Sequence, residues 1–444
     1  MLKTFRIGGV HPPENKLSAG QAIKTAELPK QAVIMLSQHI GAPAQAVVAK
    51  GDKVKVGTLL AQAGGFVSAN IHSSVSGTVA KIDTAVDVAG FQRPAIYIDV
   101  EGDEWEESID RSETLVKECN LDSKAIVERI KEAGIVGLGG ATFPAHVKLT
   151  PPPGATATIL IINAVECEPY LTADHQLMME KGAEILVGTE LLRKAINVER
   201  AVIGIENNKP DAIAHMKELA VAYPTIEICP LKVKYPQGGE KQLIDAVIRR
   251  QVPSGGLPIA TGAVVQNVGT AFAVYEAVQK NKPLFERIVT VTGKSLAHPS
   301  NLKVRVGTPL SQLIDACGGL PEDTEKVISG GPMMGKAVVS TDTPTTKGCS
   351  GVLIIRDLES RRKEMTACIR CAKCIAACPM GLAPNTLMNA TDHKDWERVE
   401  KEHVMDCIEC GSCSFTCHAH RPLLDYVRMG KARVGAIIRS RNAK

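Results

Sequence analysis

Thr158-Ile-Leu-Ile-Ile-Asn163-Ala-Val-Glu166-Cys-Glu168-Pro-Tyr170 is an apolar, β-branched run that ends in two carboxylates. It reads as a buried strand, because a strand covered on both faces carries a near-continuous hydrophobic stretch rather than an alternation. The pattern then repeats along the chain. Ala173 to Ile196 has a helical pattern, Arg200 to Glu206 a strand pattern and Asp211 to Val221 a helical one. Thr225 to Leu231 is again a strand and Glu240 to Arg249 a helix. Alternating strands and helices predict a parallel α/β sheet with helices on both faces. Ligands on such sheets gather at the carboxyl ends of the strands. Glu166 and Glu168 leave the first strand at that end, where acids make poor core residues and good hydrogen-bond partners for a ligand.

The neighbouring loops agree. Upstream, Ser123 to Ala133 forms an amphipathic helix ended by Gly134, and then comes Gly137-Leu-Gly139-Gly140-Ala-Thr-Phe-Pro-Ala-His-Val-Lys148. Closely spaced glycines let backbone N–H groups approach a phosphate or a flat ring with no Cβ in the way. Lys148 offers a countercharge. Downstream, Lys234-Tyr-Pro-Gln-Gly238-Gly239-Glu240 is a glycine turn opening a helix, an N-terminus suited to phosphate. Gln266-Asn267-Val268-Gly269-Thr270 leads into another helix. Read alone, the glycine run is equally an ordinary turn. The other three loops are what point to a ligand.

Near the C-terminus lie eight of the thirteen cysteines. Cys368-x2-Cys371-x2-Cys374-x3-Cys378 is followed by Cys407-x2-Cys410-x2-Cys413-x3-Cys417. This spacing holds iron–sulfur cubanes in two-cluster ferredoxins, where the fourth cysteine of each run serves the other cluster. Cys368, Cys371, Cys374 and Cys417 are therefore assigned to one [4Fe–4S] cluster, and Cys407, Cys410, Cys413 and Cys378 to its neighbour. The fourth cysteine of each run is expected where a helix begins. Zinc sites favour paired C-x2-C or Cys with His, and disulfide frameworks belong to short secreted chains. Among the scattered cysteines, Cys119, Cys229, Cys317 and Cys349 read as small core residues. Cys167 stands out because it sits between Glu166 and Glu168.

At 444 residues the chain has room for about three domains at ~150 residues each. A net charge of +4 and 3% aromatic content argue against a nucleic-acid protein. No continuous apolar run reaches the ~18–20 residues of a membrane span, and the N-terminus lacks the apolar core of a signal peptide. A reduced, cytosolic or peripheral setting is expected. Residues 1–110 form the first unit, with short β-branched runs and turns between 36 and 100 that suggest a small barrel or sandwich. Residues 111–285 form the Rossmann-like α/β unit, 286–350 a compact β-grasp-like unit, 360–425 the cluster domain and 426–444 a basic tail. That tail has six basic and no acidic residues, which suits a solvated helix end or a dock for a partner or membrane surface.

Residues 54–79 resemble the biotinyl/lipoyl family, but the tip Gly64 to Asn70 carries no lysine for a prosthetic group, so the module reads as structural. The four ligand-bearing loops resemble the flavin-bearing subunit of respiratory complex I. Nearly the whole chain resembles the RnfC subunits of the Rnf complexes, bacterial membrane-bound, ion-pumping ferredoxin:NAD oxidoreductases. The resemblance implies a lipoyl-like barrel-sandwich, a Rossmann-like flavin domain, a β-grasp unit of the SLBB kind and a ferredoxin-like two-cluster α domain. It also implies FMN, with NAD(H) stacked against it. On that resemblance Gly137, Gly139, Gly140 and Lys148 line the flavin and its phosphate, and Asn163 and Glu166 meet the ring or ribityl chain, with Glu168 beside them. Gly238 and Glu240 lie on the nicotinamide side, and Asn267 and Thr270 by the phosphate. Complex I differs at five of these loop positions. It has an arginine at Leu138, a glycine at Thr142, an aspartate at Val165 and glutamates at Gly239 and Gly269, so its nicotinamide contacts do not transfer.

The implied function is electron transfer between NAD(H), FMN and two [4Fe–4S] clusters. The chain would be peripheral, on the cytoplasmic side of the bacterial inner membrane. Its partners would be the other Rnf subunits and ferredoxin or a ferredoxin-like subunit. Two alternatives stand beside it: a cobalamin reductase of metabolic microcompartments with the same plan, and a cluster-bearing adaptor without flavin.

Overall fold

The computed structural model describes residues 2–442. At its centre four parallel strands lie in the order Ile226–Leu231, Ala201–Glu206, Ile159–Asn163, Ala263–Asn267. From Ile159–Asn163 the chain steps outward through helices Ala173–Ala195 and Pro210–Ala220, then crosses to the other flank through Glu240–Ile248. The winding reverses between Ile159–Asn163 and Ala263–Asn267. The carboxyl ends of these neighbours therefore flank the crevice that doubly wound sheets use for ligands.

Strand alternation sorts the core. Leu160 and Ile162 pack with Ile126, Leu186 and Val274 of the helices on one face, while Ile159 and Ile161 pack with Leu243, Ile244 and Val247 on the other. Helices Ala173–Ala195 and Val268–Gln279 cross so closely that a Cβ on Gly188 would lie 1.9 Å from the Ala271 carbonyl oxygen.

Two antiparallel sheets form the N-terminal barrel-sandwich around Ile34, Leu60, Ile71, Val79, Ile96 and Ile98. The strands Ile71–His72 and Gly77–Val86 are separated by a short irregular stretch. There buried serines take over the bonding: Ser73 Oγ donates to the Val75 carbonyl, and Ser74 Oγ to the Val306 carbonyl of the β-grasp unit.

The β-grasp unit is a six-stranded sheet in the order Lys24–Thr25, Ser300–Arg305, Glu286–Thr292, Gly351–Arg356, Thr324–Ser329, Lys336–Ala337. It draws in Lys24–Thr25 from the N-terminal segment, and Gly351–Arg356, beyond the expected boundary at 350, is one of its inner strands. The cluster domain is helical. Its last helix, Leu423–Asn442, buries Val427 and Val434 against Leu387 and Val399. The basic segment from 426 is thus helical through Asn442, closing the cluster domain's core with Val427 and Val434 and ending in an exposed last turn, and Ala443 and Lys444 lie outside the described residues.

Candidate functional site

The glycine run is a closed turn. The Gly137 N–H donates to the Phe143 carbonyl at 2.8 Å, and Val136 pairs with Pro144. Gly140 sits at φ +106°, with open space where a Cβ would point. Such a backbone requires glycine. The loop is tied to the helix Val268–Gln279, since the Leu138 N–H donates to Thr270 Oγ1 at 2.9 Å. A Cβ on Gly139 would lie 3.5 Å from Asn267 Cβ. Lys148, ending the short helix Ala145–Lys148, donates to Glu240 Oε1 at 2.6 Å and to the Val265 carbonyl at 3.1 Å.

Asn163 and Asn267 end adjacent strands. Asn163 Nδ2 donates to the Gly238 carbonyl at 2.8 Å. Asn267 caps its helix by accepting from the Gly269 N–H at 2.8 Å, and its Nδ2 donates to Asp174 Oδ2 at 2.8 Å. Hydrogen bonds and close packing thus bring together, at the carboxyl ends of the strands, the loops that carry Gly137, Gly139, Gly140, Lys148, Asn163, Gly238, Glu240, Asn267 and Thr270. The two acids are engaged elsewhere. The Glu166 carboxylate accepts from the Asp174 N–H at 2.7 Å and the His175 N–H at 3.2 Å, capping the helix Ala173–Ala195. Glu168 turns toward the β-grasp unit and accepts from the Met333 N–H at 3.1 Å. Burial pushes the Glu168 carboxyl up to about 7, against the pull of that N–H.

Two residues that sequence reasoning missed support this crevice. Arg287, from the β-grasp strand, is buried and donates through Nη2 to the Leu138 carbonyl at 3.2 Å and through Nε to the Cys349 carbonyl at 3.3 Å. It faces the half-buried Asp174, whose carboxyl is pushed up to about 7 by desolvation first and by Glu166 second. Lys16 donates to the carbonyls of Glu166, Glu168 and Leu171 at 3.0, 2.9 and 2.6 Å and so shapes the turn after the strand. No local pattern announces either, because Arg287 lies 149 positions from Leu138 and Lys16 lies 150 from Glu166.

In the cluster domain the two cysteine runs interleave. Cys378 of the first run lies within charge-interaction range of Cys407, Cys410 and Cys413, and Cys374 within that of Cys417. The expected helix start at the fourth cysteine is not what forms. Cys374 lies inside the helix Lys373–Ala377 and Cys413 inside Ser412–Phe415, whereas Cys378 and Cys417 come after those helices. The short x3 spacing leaves room for just one turn, which closes before the fourth thiol and releases it toward the other run. Burial first and neighbouring thiols next push Cys407 up to about 11 and Cys413 up to about 12. Bound metal ions hold thiols deprotonated, so iron relieves the repulsion that protein alone answers with protons. Among the described residues no three His, Cys, Asp or Glu converge on a single ion, and cubane ligands bind separate iron corners instead.

The crevice and the second run meet. The Gly238 N–H points at Cys167 Sγ, 3.3 Å away, and Tyr235 Oη donates to the Cys410 carbonyl at 2.9 Å. Val10, Tyr235, Ala377 and Cys410 share one apolar cluster, with Cys167 against it. The N-terminal strap seals this seam: the Gly9 N–H donates to the Ala377 carbonyl at 2.9 Å, and a Cβ on Gly8 would lie 2.4 Å from the Cys378 backbone.

Comparison with known proteins agrees with this layout. The RnfC barrel sandwich hybrid domain matches residues 3–103, the Nuo51 FMN-binding domain 130–276, the SLBB domain 288–337 and the 4Fe-4S dicluster domain 361–418. The chain is 45% identical over 442 residues to the C component of the proton-translocating ferredoxin:NAD(+) oxidoreductase complex of Clostridium ljungdahlii, covering 97% of this chain and 94% of that one. It is 41% identical to the Na(+)-translocating counterpart of Acetobacterium woodii, over 99% of both chains. To the C component of the ion-translocating oxidoreductase complex of Rhodobacter capsulatus it is 39% identical, over 98% of this chain and 84% of that one. With the crevice, the two sets of thiols and this full-length likeness together, the chain belongs to the RnfC family, the subunits of that kind in the Rnf ion-translocating ferredoxin:NAD oxidoreductase complexes.

Proposed function

We propose that this chain is the peripheral electron-transfer subunit of a membrane-associated, ion-translocating ferredoxin:NAD oxidoreductase, working between NAD(H) and one-electron carriers. The observation that carries the reading is the seam at Tyr235, where Cys410 of one four-thiol set and Cys167, which meets the Gly238 N–H, share one apolar cluster. FMN exchanges hydride with a nicotinamide and single electrons with iron–sulfur centres, so the pair converts a two-electron donor into one-electron steps. Gly137, Gly139 and Gly140 would admit the flavin to the backbone. Lys148, Asn267 and Thr270 would face its phosphate, and Asn163 its ring or ribityl chain. Gly238 and Glu240 would border the nicotinamide. The eight cysteines would hold two cubanes.

No helix of the described residues is long and apolar enough to cross a membrane. In this reading partner subunits carry the ion path, and this chain would sit against them on the cytoplasmic side, where NAD(H) is found. Full-length identity to ion-translocating relatives favours this reading over a cobalamin reductase, and the match of residues 130–276 to the Nuo51 FMN-binding domain favours it over a flavin-free adaptor. The test is anaerobic isolation followed by NADH addition. The expected result is one FMN with about eight iron and eight sulfide per chain, all bleached by NADH. A spectrum unmoved by NADH refutes the proposal.

A further inference from the structure

Two cations stand at the glycine run, and only one of them is paired. Lys148 Nζ meets Glu240 Oε1 at 2.6 Å, so its charge already has a partner. Arg287 is only 6% exposed, yet among the described residues no carboxylate lies within ion-pair distance of it. Burial pulls its guanidinium below the usual arginine range, against the charge of Asp174, but arginine stays protonated in proteins. A buried charge with no counterion is costly. Asp174 faces it without supplying one. Its Oδ2 accepts from Asn267 Nδ2 at 2.8 Å, and desolvation pushes its carboxyl up to about 7.

The guanidinium is also fixed in direction. Nε donates to the Cys349 carbonyl at 3.3 Å and Nη2 to the Leu138 carbonyl at 3.2 Å. Among the described residues no acceptor takes up Nη1, which lies 3.7 Å from the point a Cβ on Gly269 would occupy. Gly269 belongs to the first turn of the 12-residue helix Val268–Gln279. A first turn presents N–H groups without intrahelical partners and favours anions. Asn267 answers the N–H of Gly269. A helix N-terminus and a buried, pre-oriented, unpaired donor therefore converge at one place. Planar guanidinium forks suit phosphate oxygens there.

We propose that Arg287, carried by the β-grasp strand Glu286–Thr292, is the countercharge for the flavin phosphate at the first turn of the helix after Asn267. This rests on the flavin reading above and deepens it, because the unpaired cation comes from a different unit than the glycine run. The phosphate would thus bridge the flavin and β-grasp units. Binding is non-covalent: a dianion meets a cation that the protein has buried and left without a partner.

The test compares FMN with riboflavin, which has the same ring and ribityl chain but no phosphate, by fluorescence titration of flavin-stripped full-length protein. The wild-type chain should prefer FMN about tenfold or more. Arg287→Gln should weaken FMN binding about tenfold or more while riboflavin binding stays within about twofold, so that the preference collapses. Arg287→Lys should keep part of the preference. Inorganic phosphate should compete with FMN, and less so in Arg287→Gln. Iron content and the thermal transition verify that the variants are folded, and Arg287→Lys with phosphate competition carries the test if Arg287→Gln does not fold. Equal loss of both flavins in a folded variant would make Arg287 a strut for the glycine run and overturn the assignment. An unchanged FMN preference would overturn it too, by placing the phosphate elsewhere. Wild-type protein that binds neither flavin would overturn the flavin reading and this assignment with it.

Discussion

At the residue scale the crevice depends on small groups standing where larger ones would fill it. Asn267 ends a strand, caps a helix and anchors Asp174, so its side chain is fixed before any ligand arrives. Gly139 faces it across the crevice. An alanine there would make only ordinary contact with Asn267, so the protein should tolerate Gly139→Ala with a Tm shift within about 2 °C. The added methyl should still weaken FMN binding about tenfold or more, or about 1.4 kcal/mol, read by fluorescence titration of flavin-stripped protein. An unaltered Kd would move the flavin away from this loop. The two acids show the limit of reading residues singly. Glu166 and Glu168 stand two apart at a strand's carboxyl end, yet one caps a helix and the other crosses to another domain. Their difference comes from the turn that Lys16 imposes, not from their own chemistry.

At the element scale the short helices of the cluster domain decide which thiols act together. Each closes one turn and releases its last cysteine toward the other run, so cluster membership crosses the sequence. That crossing has a measurable signature, because mutations within one unit are not additive and mutations in separate units are. Cys378→Ala and Cys410→Ala should each remove about half the cubane iron, and the double variant should lose no more than either. Cys378→Ala combined with Cys374→Ala should lose nearly all of it. Iron and sulfide analysis with EPR decides. Additive loss in the first pair and shared loss in the second would show that each run serves its own cluster. The C-terminal helix also changes meaning at this scale. Its basic residues suggest a solvated helix end or a dock; the last turn is exposed, while Arg428 and Lys431 pair with Glu409 and the apolar positions close the cluster domain's core.

At the scale of the whole molecule, carboxyls removed from water tie units together. Glu168, half-buried, bridges the flavin and β-grasp units, half-buried Asp174 faces Arg287 of the β-grasp strand, and Glu206 is buried within the flavin domain; desolvation is the first cause raising all three to about 7. A carboxyl whose folded pKa lies above its unfolded value stabilises the fold fully below the ordinary carboxylate range and loses that contribution as pH rises through about 7. Thermal stability should therefore fall between about pH 5 and pH 8. Glu168→Gln should flatten part of that slope, measured by calorimetry on anaerobic protein. A slope unchanged by the substitution would show that Glu168 does not titrate at the join. The N-terminal strap belongs to this scale as well. Within its first 25 residues it touches the parallel sheet, the seam and the β-grasp sheet, and it pins the turn that carries both acids.

The sequence by itself determined the chemistry and the succession of folds. Cysteine spacing, glycine loops and apolar period are local, and the physics that reads them acts over a few residues. Only the tertiary structure decided which set of thiols lies inward against the flavin domain, which backbone groups the two acids accept from, and which distant cations hold the loops. Those outcomes depend on burial and on partners more than a hundred positions away, where charge and hydrogen bonding are set by packing between domains rather than by neighbours in the chain.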